Sequence, residues 1–123
     1  MTNTSRTLKY LRDEGWEAGM VERFLSFAGK YGSRVDLWGI IDILAMNGEN
    51  ILGVQSCGSS FRAHDRKILA SPQAVRWLES GGLLWLVGWR KIKLHRGSKA
   101  WRWKPRIREY KIEDFKEVKI CSK

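Results

Sequence analysis

Residues 34–57, RVDLWGIIDILAMNGENILGVQSC, decide the fold of this chain. Two apolar runs, residues 34–45 and 51–57, flank the polar segment 47–50, which reads Asn-Gly-Glu-Asn. Apolar runs bounded by turn residues are typical of β-strands, and a short connection containing Asn-Gly favours an antiparallel hairpin. The segment therefore predicts two hydrogen-bonded strands in the interior of the protein.

Asp42 is the exceptional residue of the first strand, because it lies between Ile41 and Ile43. An ionised carboxylate is costly to bury unless it is paired with a cation or binds a metal. Two interpretations follow, a metal ligand and a structural salt bridge to an arginine. Side chains alternate between the faces of a strand, so Asp36 is predicted on the same face as Asp42.

The position of the turn decides which residue lies opposite Asp42. A two-residue turn at 47–48 pairs it with position 53, and a turn at 48–49 pairs it with Gln55. In both registers Gln55 shares the face of Asp42, either directly opposite at about 5 Å or one diagonal step away at about 7–8 Å between Cα atoms. A carboxylate and an amide carbonyl at that spacing can share Mg²⁺, which takes oxygen ligands. The alternative for Gln55 is a buried side chain hydrogen-bonded to the backbone.

The elements before the hairpin are a helix, a strand and a loop. Residues 5–15 predict a helix with Ser5 as its N-cap and Gly15 as its stop. The apolar stretch 20–27 predicts a strand, and the glycine-bearing residues 29–33 predict a loop.

Two helices and a buried strand are predicted after the hairpin. The helices cover residues 61–70 and 72–80, and Ser71 followed by Pro72 marks the start of the second. Residues 83–89 form a continuous apolar run, which predicts a strand buried on both faces in the middle of a sheet. This order of elements predicts an α/β domain.

Composition limits the classes of function. The chain has 123 residues, 43% of them apolar, and a net charge of +10 from 23 Lys and Arg against 13 Asp and Glu. The length predicts a single domain over residues 1–123, and the apolar content excludes a disordered polycation. A folded domain this basic is expected to bind nucleic acid or an anionic membrane surface.

Other classes are excluded by the sequence pattern. No apolar run approaches the roughly 20 residues of a membrane span, so no membrane-embedded segment is expected. The two cysteines and two histidines lack a zinc-binding spacing, and the polar N-terminus does not read as a signal peptide. We therefore expect a protein of the reducing cytoplasm.

The region from residue 90 to 111 contains ten Lys or Arg and a single acid, Glu109. Within it, residues 101–104 read Trp-Arg-Trp-Lys, so the two tryptophans are predicted on one side of a strand and the basic residues on the other. The basic side is expected to contact phosphates, whereas the tryptophans are interpreted as core or dimer interface, with a base-stacking platform as the alternative. The candidate DNA-binding residues are Arg62, Arg66, Arg90, Lys91, Lys93, Arg102, Lys104 and Arg106.

The spacing of the hairpin residues resembles that of a known family. Asp42, followed thirteen residues later by Gln55-Ser56-Cys57, resembles the Asp…(Glu/Gln)-x-Lys signature of the PD-(D/E)XK nucleases. More specifically, it resembles that of the archaeal and bacteriophage Holliday junction resolvases. The segments 35–45, 53–55 and 88–91 are similar to a phage-type branch that has Gln at the Glu position.

The resemblance covers roughly residues 5–92, the expected nuclease core, and leaves residues 90–111 as a basic aromatic extension. It implies a single-domain restriction-endonuclease-like fold, a central mixed sheet flanked by helices. It also implies metal-dependent hydrolysis of branched double-stranded DNA, most specifically of four-way junctions in DNA recombination and repair. A homodimer is expected, because a junction takes two symmetric cuts and the chain carries one candidate site. For a phage-encoded protein the compartment would be the host cytoplasm.

The resemblance also implies the site residues. By position, Asp42 is the main Mg²⁺ ligand and Gln55 the second, with Mn²⁺ as a substitute metal. Family members place an upstream acid near the metal, and Glu22 is the candidate here. Asp36 is a further candidate ligand; structural roles remain the alternative for both acids.

Cys57 departs from the family pattern, because it occupies the Lys position and is a poor ligand for Mg²⁺. Lys67 is the preferred replacement, since it lies on the helix expected to pack over the hairpin, and Arg62 and Arg66 are the other candidates. Three functions remain open: a junction-resolving endonuclease, a nuclease acting on ends or nicks, and a nuclease-like protein that has lost catalysis and binds structured nucleic acid.

Overall fold

The computed structural model describes residues 1–21, 23–27 and 31–115, and only the backbone of residues 23–27 and 31–34. Three helices and seven strands are present in this part of the chain, and none of these helices is long and apolar enough to cross a membrane. The helices are α1 (Asn3–Asp13), α2 (Phe61–Leu69) and α3 (Pro72–Glu79). The strands are β1 (Glu17–Met20), β2 (Arg23–Phe27), β3 (Tyr31–Val35), β4 (Ile43–Met46), β5 (Ile51–Cys57), β6 (Leu83–Lys93) and β7 (Trp101–Glu109).

Five strands form a mixed sheet in the order β1-β4-β5-β6-β7, and β2 pairs with β3 in a separate antiparallel hairpin. Within the five-stranded sheet β5 and β6 are parallel and the other pairs are antiparallel. The predicted α/β class, with a central mixed sheet flanked by helices, is therefore confirmed. Strand β6 lies between β5 and β7 and is buried through its middle, as its apolar run predicts.

The two faces of the sheet are covered by different helices. On one face, here the α1 face, Leu11 of α1 packs against the sheet residues Val54 and Val87. On the other, the α2/α3 face, Ile68 and Ala74 form a core cluster with Leu84, Leu86 and Tyr110. Strand alternation places these two sets on opposite sides, so the sheet separates two apolar layers.

The helix boundaries follow capping chemistry. The predicted N-cap Ser5 is wrong: Thr2 caps α1, because its Oγ1 accepts the backbone N–H of Ser5 at 3.0 Å. Gly15 follows the helix with φ +96°, as its role of helix stop requires. The predicted start of α3 is confirmed, since the N–H of Ala74 donates to Ser71 Oγ at 3.3 Å.

The predicted strand over residues 34–45 is wrong, because a tight turn interrupts it. Trp38 and Gly39 both have positive φ, 56° and 73°, and the chain reverses there. Leu37 and Ile41 exchange backbone hydrogen bonds of 2.8 and 3.1 Å across the turn. Glycine tolerates the left-handed region, so Gly39 allows a reversal that continuous apolar character had masked.

The predicted strand over residues 20–27 is also divided, between β1 and β2. At the division the N–H of Val21 donates to the carbonyl of Asp42 at 3.0 Å. The loop predicted over residues 29–33 is wrong in its second part, where β3 begins at Tyr31. Its first part, together with residue 28, lies outside the described residues.

Strand β6 continues beyond its predicted end at residue 89. The last residue pair between β5 and β6 is Cys57–Gly88, whereas β6 and β7 stay paired as far as Lys93–Trp101. Residues 89–93 and 101–105, with the connection between them, therefore project past β5 as a two-stranded ribbon. We call residues 89–105 the arm.

Candidate functional site

The β4–β5 register places Gln55 directly opposite Asp42. Ile43 pairs with Val54, and the N–H of Asn47 donates to the carbonyl of Asn50 at 3.3 Å beside the turn. Of the two predicted registers, the one with the turn at 48–49 is therefore the observed one. The Asp42 N–H donates to the Val54 carbonyl at 2.9 Å, which continues the strand pairing up to the site.

Two carboxylates converge on the side-chain amide of Gln55. Its Nε2 donates to Asp36 Oδ2 at 3.1 Å and to Asp42 Oδ2 at 3.2 Å. The backbone N–H of Ser56 donates to the same Asp42 oxygen at 3.3 Å. Asp42 is 3% and Gln55 2% exposed, and Asp36 is partly buried. We call Asp36, Asp42 and Gln55 the acidic cluster.

Asp36 reaches the cluster by the tight turn rather than by strand alternation. The turn folds the chain between Asp36 and Asp42 back on itself, so both carboxylates approach Gln55. Trp38 at its tip lies 6.1 Å from the Trp77 ring of α3, measured between centroids. The prediction that Asp36 lies near Asp42 is correct, but the strand argument behind it is wrong.

Gln55 Oε1 is buried and has no hydrogen-bond partner among the described residues. An unsatisfied buried acceptor costs about 1–3 kcal/mol, so such an atom calls for an explanation. A half-turn about the last side-chain bond exchanges Oε1 with Nε2 and presents the carbonyl oxygen to the side of the carboxylates.

The donor set at the cluster suits a hard cation. Within the described residues, no group of three or more His, Cys, Asp or Glu is arranged to hold a metal. The cluster offers two carboxylates and an amide carbonyl, and Mg²⁺ is commonly held by one or two carboxylates together with water and phosphate oxygens. Asp36, Asp42 and Gln55 therefore fit Mg²⁺, provided that other oxygens complete its coordination.

Cys57 shares the sheet face of Gln55 but supplies no positive charge. Burial and the negative charge of Asp42 raise the pKa of its thiol to about 11. The side chain is 4% exposed and belongs to the α2/α3 core cluster. Cys57 is therefore a neutral core thiol.

The structure does not bring Lys67 into contact with the cluster. It is exposed in the last turn of α2, next to the buried Ile68, and makes no hydrogen bond or ion pair within the described ranges. Arg66 is likewise exposed, and Arg62 lines a cleft of about 440 Å³ with Asp65 and Arg106. Glu22 lies outside the described residues.

A hydrogen-bond network on the α1 face connects β5 with α1 and β6. Trp89 Nε1 donates to Thr7 Oγ1 at 2.8 Å, and the hydroxyls of Thr7 and Ser56 are 2.7 Å apart. All three side chains are buried. The network holds the backbone beside Gln55, and the only sign of it in the sequence pattern is the polar Thr7 on the apolar side of α1.

The ten basic residues between positions 90 and 111 fall into two groups. Arg108 binds both oxygens of Asp65 at 2.7 and 2.9 Å, and Lys111 pairs with Glu109 at 2.7 Å. The other eight form no ion pair in the part of the chain that the structure describes. These eight are Arg90, Lys91, Lys93, Arg96, Lys99, Arg102, Lys104 and Arg106.

Tyr110 completes the contact of Arg108 with α2. Its hydroxyl donates to Asp65 Oδ1 at 2.6 Å. Burial and the Asp65 carboxylate raise the pKa of Tyr110 above its usual value, so the hydroxyl stays protonated. Asp65 thereby joins α2 to the end of β7.

The acidic cluster lies on the same face of the sheet as four of the unpaired basic residues, which are Arg90, Arg102, Lys104 and Arg106. Cys57, Gly88 and Arg106 are cross-strand neighbours on the α2/α3 face, so Arg106 lies two strand spacings, about 10 Å, from Cys57. Phe61 of α2 packs over Gly88, where a Cβ would come within 2.5 Å of its ring, and the Arg106 guanidinium lies 4.1 Å from the Phe61 ring centroid.

The predicted separation of tryptophans from basic residues along β7 is confirmed, but the core interpretation of the tryptophans is wrong. Trp101 is 51% and Trp103 43% exposed, on the α1 face of the arm. The Arg6 guanidinium lies 3.7 Å from the Trp103 ring centroid. No third strand lies beside this part of the ribbon, because the last pair between β5 and β6 is Cys57–Gly88.

No protein-family model matches this chain, and no curated protein does either. The acidic cluster and the arm are therefore the features of this chain that indicate its function.

Proposed function

We propose that this protein is a Mg²⁺-dependent, structure-selective endodeoxyribonuclease that acts on branched DNA, with four-way junctions as its main substrate. The observation that carries the proposal is that the acidic cluster shares one sheet face with the unpaired basic residues Arg90, Arg102, Lys104 and Arg106. A nuclease needs both, because cations attract the phosphate backbone and carboxylates hold the metal.

The chain's own residues have distinct roles in this proposal. Asp36 and Asp42 would hold the cation, and Gln55 would add its carbonyl oxygen. The chemistry that Mg²⁺ would supply there is polarisation of the scissile phosphate and a lower pKa of the attacking water. Arg106 and Arg90 bind phosphates beside the scissile one, which positions the backbone without reading its sequence. In this proposal the chain is related to the PD-(D/E)XK nucleases and shares the arrangement of their site residues.

A homodimer in the cytoplasm completes the proposal. Two symmetric nicks resolve a four-way junction, and a two-fold pair of chains supplies two sites. A single mass equal to that of the monomer, measured at micromolar concentration with and without DNA, would contradict this part.

A binding protein without catalysis is the second candidate, and one observation favours it. Cys57 is a buried, neutral thiol where the related nucleases have a lysine, and Lys67 does not contact the acidic cluster. Such a protein would hold structured DNA through the arm alone.

A cleavage assay separates the two candidates. The protein is incubated with labelled four-way junction and with linear duplex over a series of Mg²⁺ and Mn²⁺ concentrations. We expect paired nicks in the junction that disappear in Asp42→Asn, which keeps the size of the side chain and its acceptor oxygen. Asp13→Asn, in an exposed pair with Lys9, is the matched control and should cut normally. Tight junction binding without cleavage in either metal would reject the nuclease and leave the binding protein.

A further inference from the structure

Beyond the buried Trp89, the arm has exposed side chains on both of its faces. Its strands, residues 89–93 and 101–105, have no β5 beside them, and they project by about 17 Å at 3.4 Å per residue. Two-stranded ribbons of this kind are narrow enough to enter a DNA groove or to lie between two strands.

The two faces of the arm carry different chemistry. Cross-strand pairing places Arg90 opposite Lys104, next to Arg102, on the face that also contains the acidic cluster. The opposite face pairs Lys91 with Trp103 and Lys93 with Trp101. One face is therefore a row of cations, and the other combines cations with exposed indole rings.

The tryptophan face is built for a ligand that has both negative charge and flat rings. Lys93 Nζ lies 5.5 Å from the Trp101 ring centroid, and the Arg6 guanidinium stacks on Trp103 at 3.7 Å. A second copy of the same surface would bring these unpaired cations together, which disfavours the dimer interface as its occupant. Bases of a nucleic acid stack on indole rings and on guanidinium planes, while their phosphates pair with the lysines.

We propose that the arm acts as a divider at the point where duplex DNA opens. The phosphates of the duplex bind Arg90, Arg102 and Lys104, and unpaired bases of the displaced strand stack on Trp101 and on the Arg6–Trp103 pair. The substrate class is therefore DNA in which unpaired bases adjoin a duplex. This inference takes from the proposed function that the ligand is DNA, and it requires no cleavage.

Binding in EDTA tests the arm without cleavage. The affinity is measured by fluorescence anisotropy for a fully paired duplex and for the same duplex with a short single-stranded tail. We expect the tailed duplex to bind more tightly, by about 5- to 150-fold for each stacked base. Trp101→Ala should remove most of that gain and leave the affinity for the paired duplex nearly unchanged.

Three further variants separate stacking from other effects. Leu94→Ala removes an apolar side chain of similar exposure from the same arm and should leave the gain intact. Arg102→Ala should weaken the binding of both ligands alike, because phosphates are present in both. Trp101→Phe keeps a ring and should retain part of the gain.

The proposal is overturned if the tail adds no affinity, or if Trp101→Ala weakens both ligands equally. Its failure is distinct from that of the proposed function. A protein that cuts junctions but ignores the tail loses only the arm's role, and one that shows the Trp101-dependent gain but never cuts loses only catalysis.

Discussion

The salt dependence of DNA binding is the most direct quantitative test of the arm. The perturbation is the triple replacement of Arg90, Arg102 and Lys104 by serine. These residues lie on the α2/α3 face and form no ion pair in the described chain, so their loss breaks no salt bridge of the fold. Any loss of affinity then reports on contacts with the ligand.

The magnitude follows from counterion release. Each phosphate contact adds about −0.9 to the slope of log affinity plotted against log salt concentration. One contact therefore lowers the affinity by about 3.5-fold between 50 and 200 mM salt. If about six of the eight unpaired cations contact phosphates, the wild type loses roughly 2000-fold over that range. The triple variant keeps about three contacts and loses only about 40-fold.

The assay is anisotropy of a labelled duplex in EDTA over that range of salt. Arg76→Ser is the matched control, because Arg76 is an exposed cation of α3 paired with Glu79 and remote from the arm in sequence. Its slope should equal that of the wild type. Equal slopes for the triple variant and the wild type would refute the assignment of the arm as the phosphate-binding surface.

Two further predictions concern the acidic cluster and the neighbouring thiol. Gln55→Glu replaces a donor to two carboxylates by a third negative charge, so in EDTA the free energy of unfolding should fall by about 1–3 kcal/mol, and added Mg²⁺ should restore it. Thermal unfolding with and without Mg²⁺ measures both effects, and a variant whose stability does not respond to Mg²⁺ would contradict the cation site. Cys57 has a folded pKa of about 11, above its ordinary 9.0, so the unfolded chain releases the thiol proton first. The stabilising contribution of the protonated thiol is complete below pH 9 and decreases as the pH rises towards 11. Cys57→Ala should therefore reduce the change in unfolding free energy between pH 9 and 11, as measured by denaturant unfolding. An unchanged pH dependence would contradict the burial of the thiol.

Local rules were sufficient for the hairpin that carries Asp42 and Gln55. The Asn-Gly turn and the two apolar runs limited the register to two choices, and in both of them Gln55 lies on the face of Asp42. Capping chemistry likewise located the start of α3 at Ser71, because a serine before proline has few other local uses.

The reversal at Trp38 was beyond the reach of the sequence pattern. A bulky residue seldom adopts positive φ, and the surrounding residues are apolar enough to pass for one strand. Contact with Trp77 of α3, 39 residues further along the chain, accompanies the turn. The position of Asp36 beside Gln55 therefore depends on tertiary packing, which no window of sequence contains.

The sequence predicts the basic strand of the arm, but it does not predict that the arm extends past the end of β5. Its free length is set by where β5 stops, and that end is determined by Gly58 and the start of α2, far from the arm in sequence. The exposure of Trp101 follows from the same cause, since no neighbouring strand covers it.

The clamp between Arg108, Tyr110 and Asp65 gives the arm a mechanical anchor. Asp65 lies on α2, which follows directly from β5, the strand that holds Gln55. If DNA binds the arm as proposed, tension on the arm would be shared with this helix through Asp65. The same connection would then set the distance along the DNA backbone between the phosphates bound by the arm and the point that meets the acidic cluster.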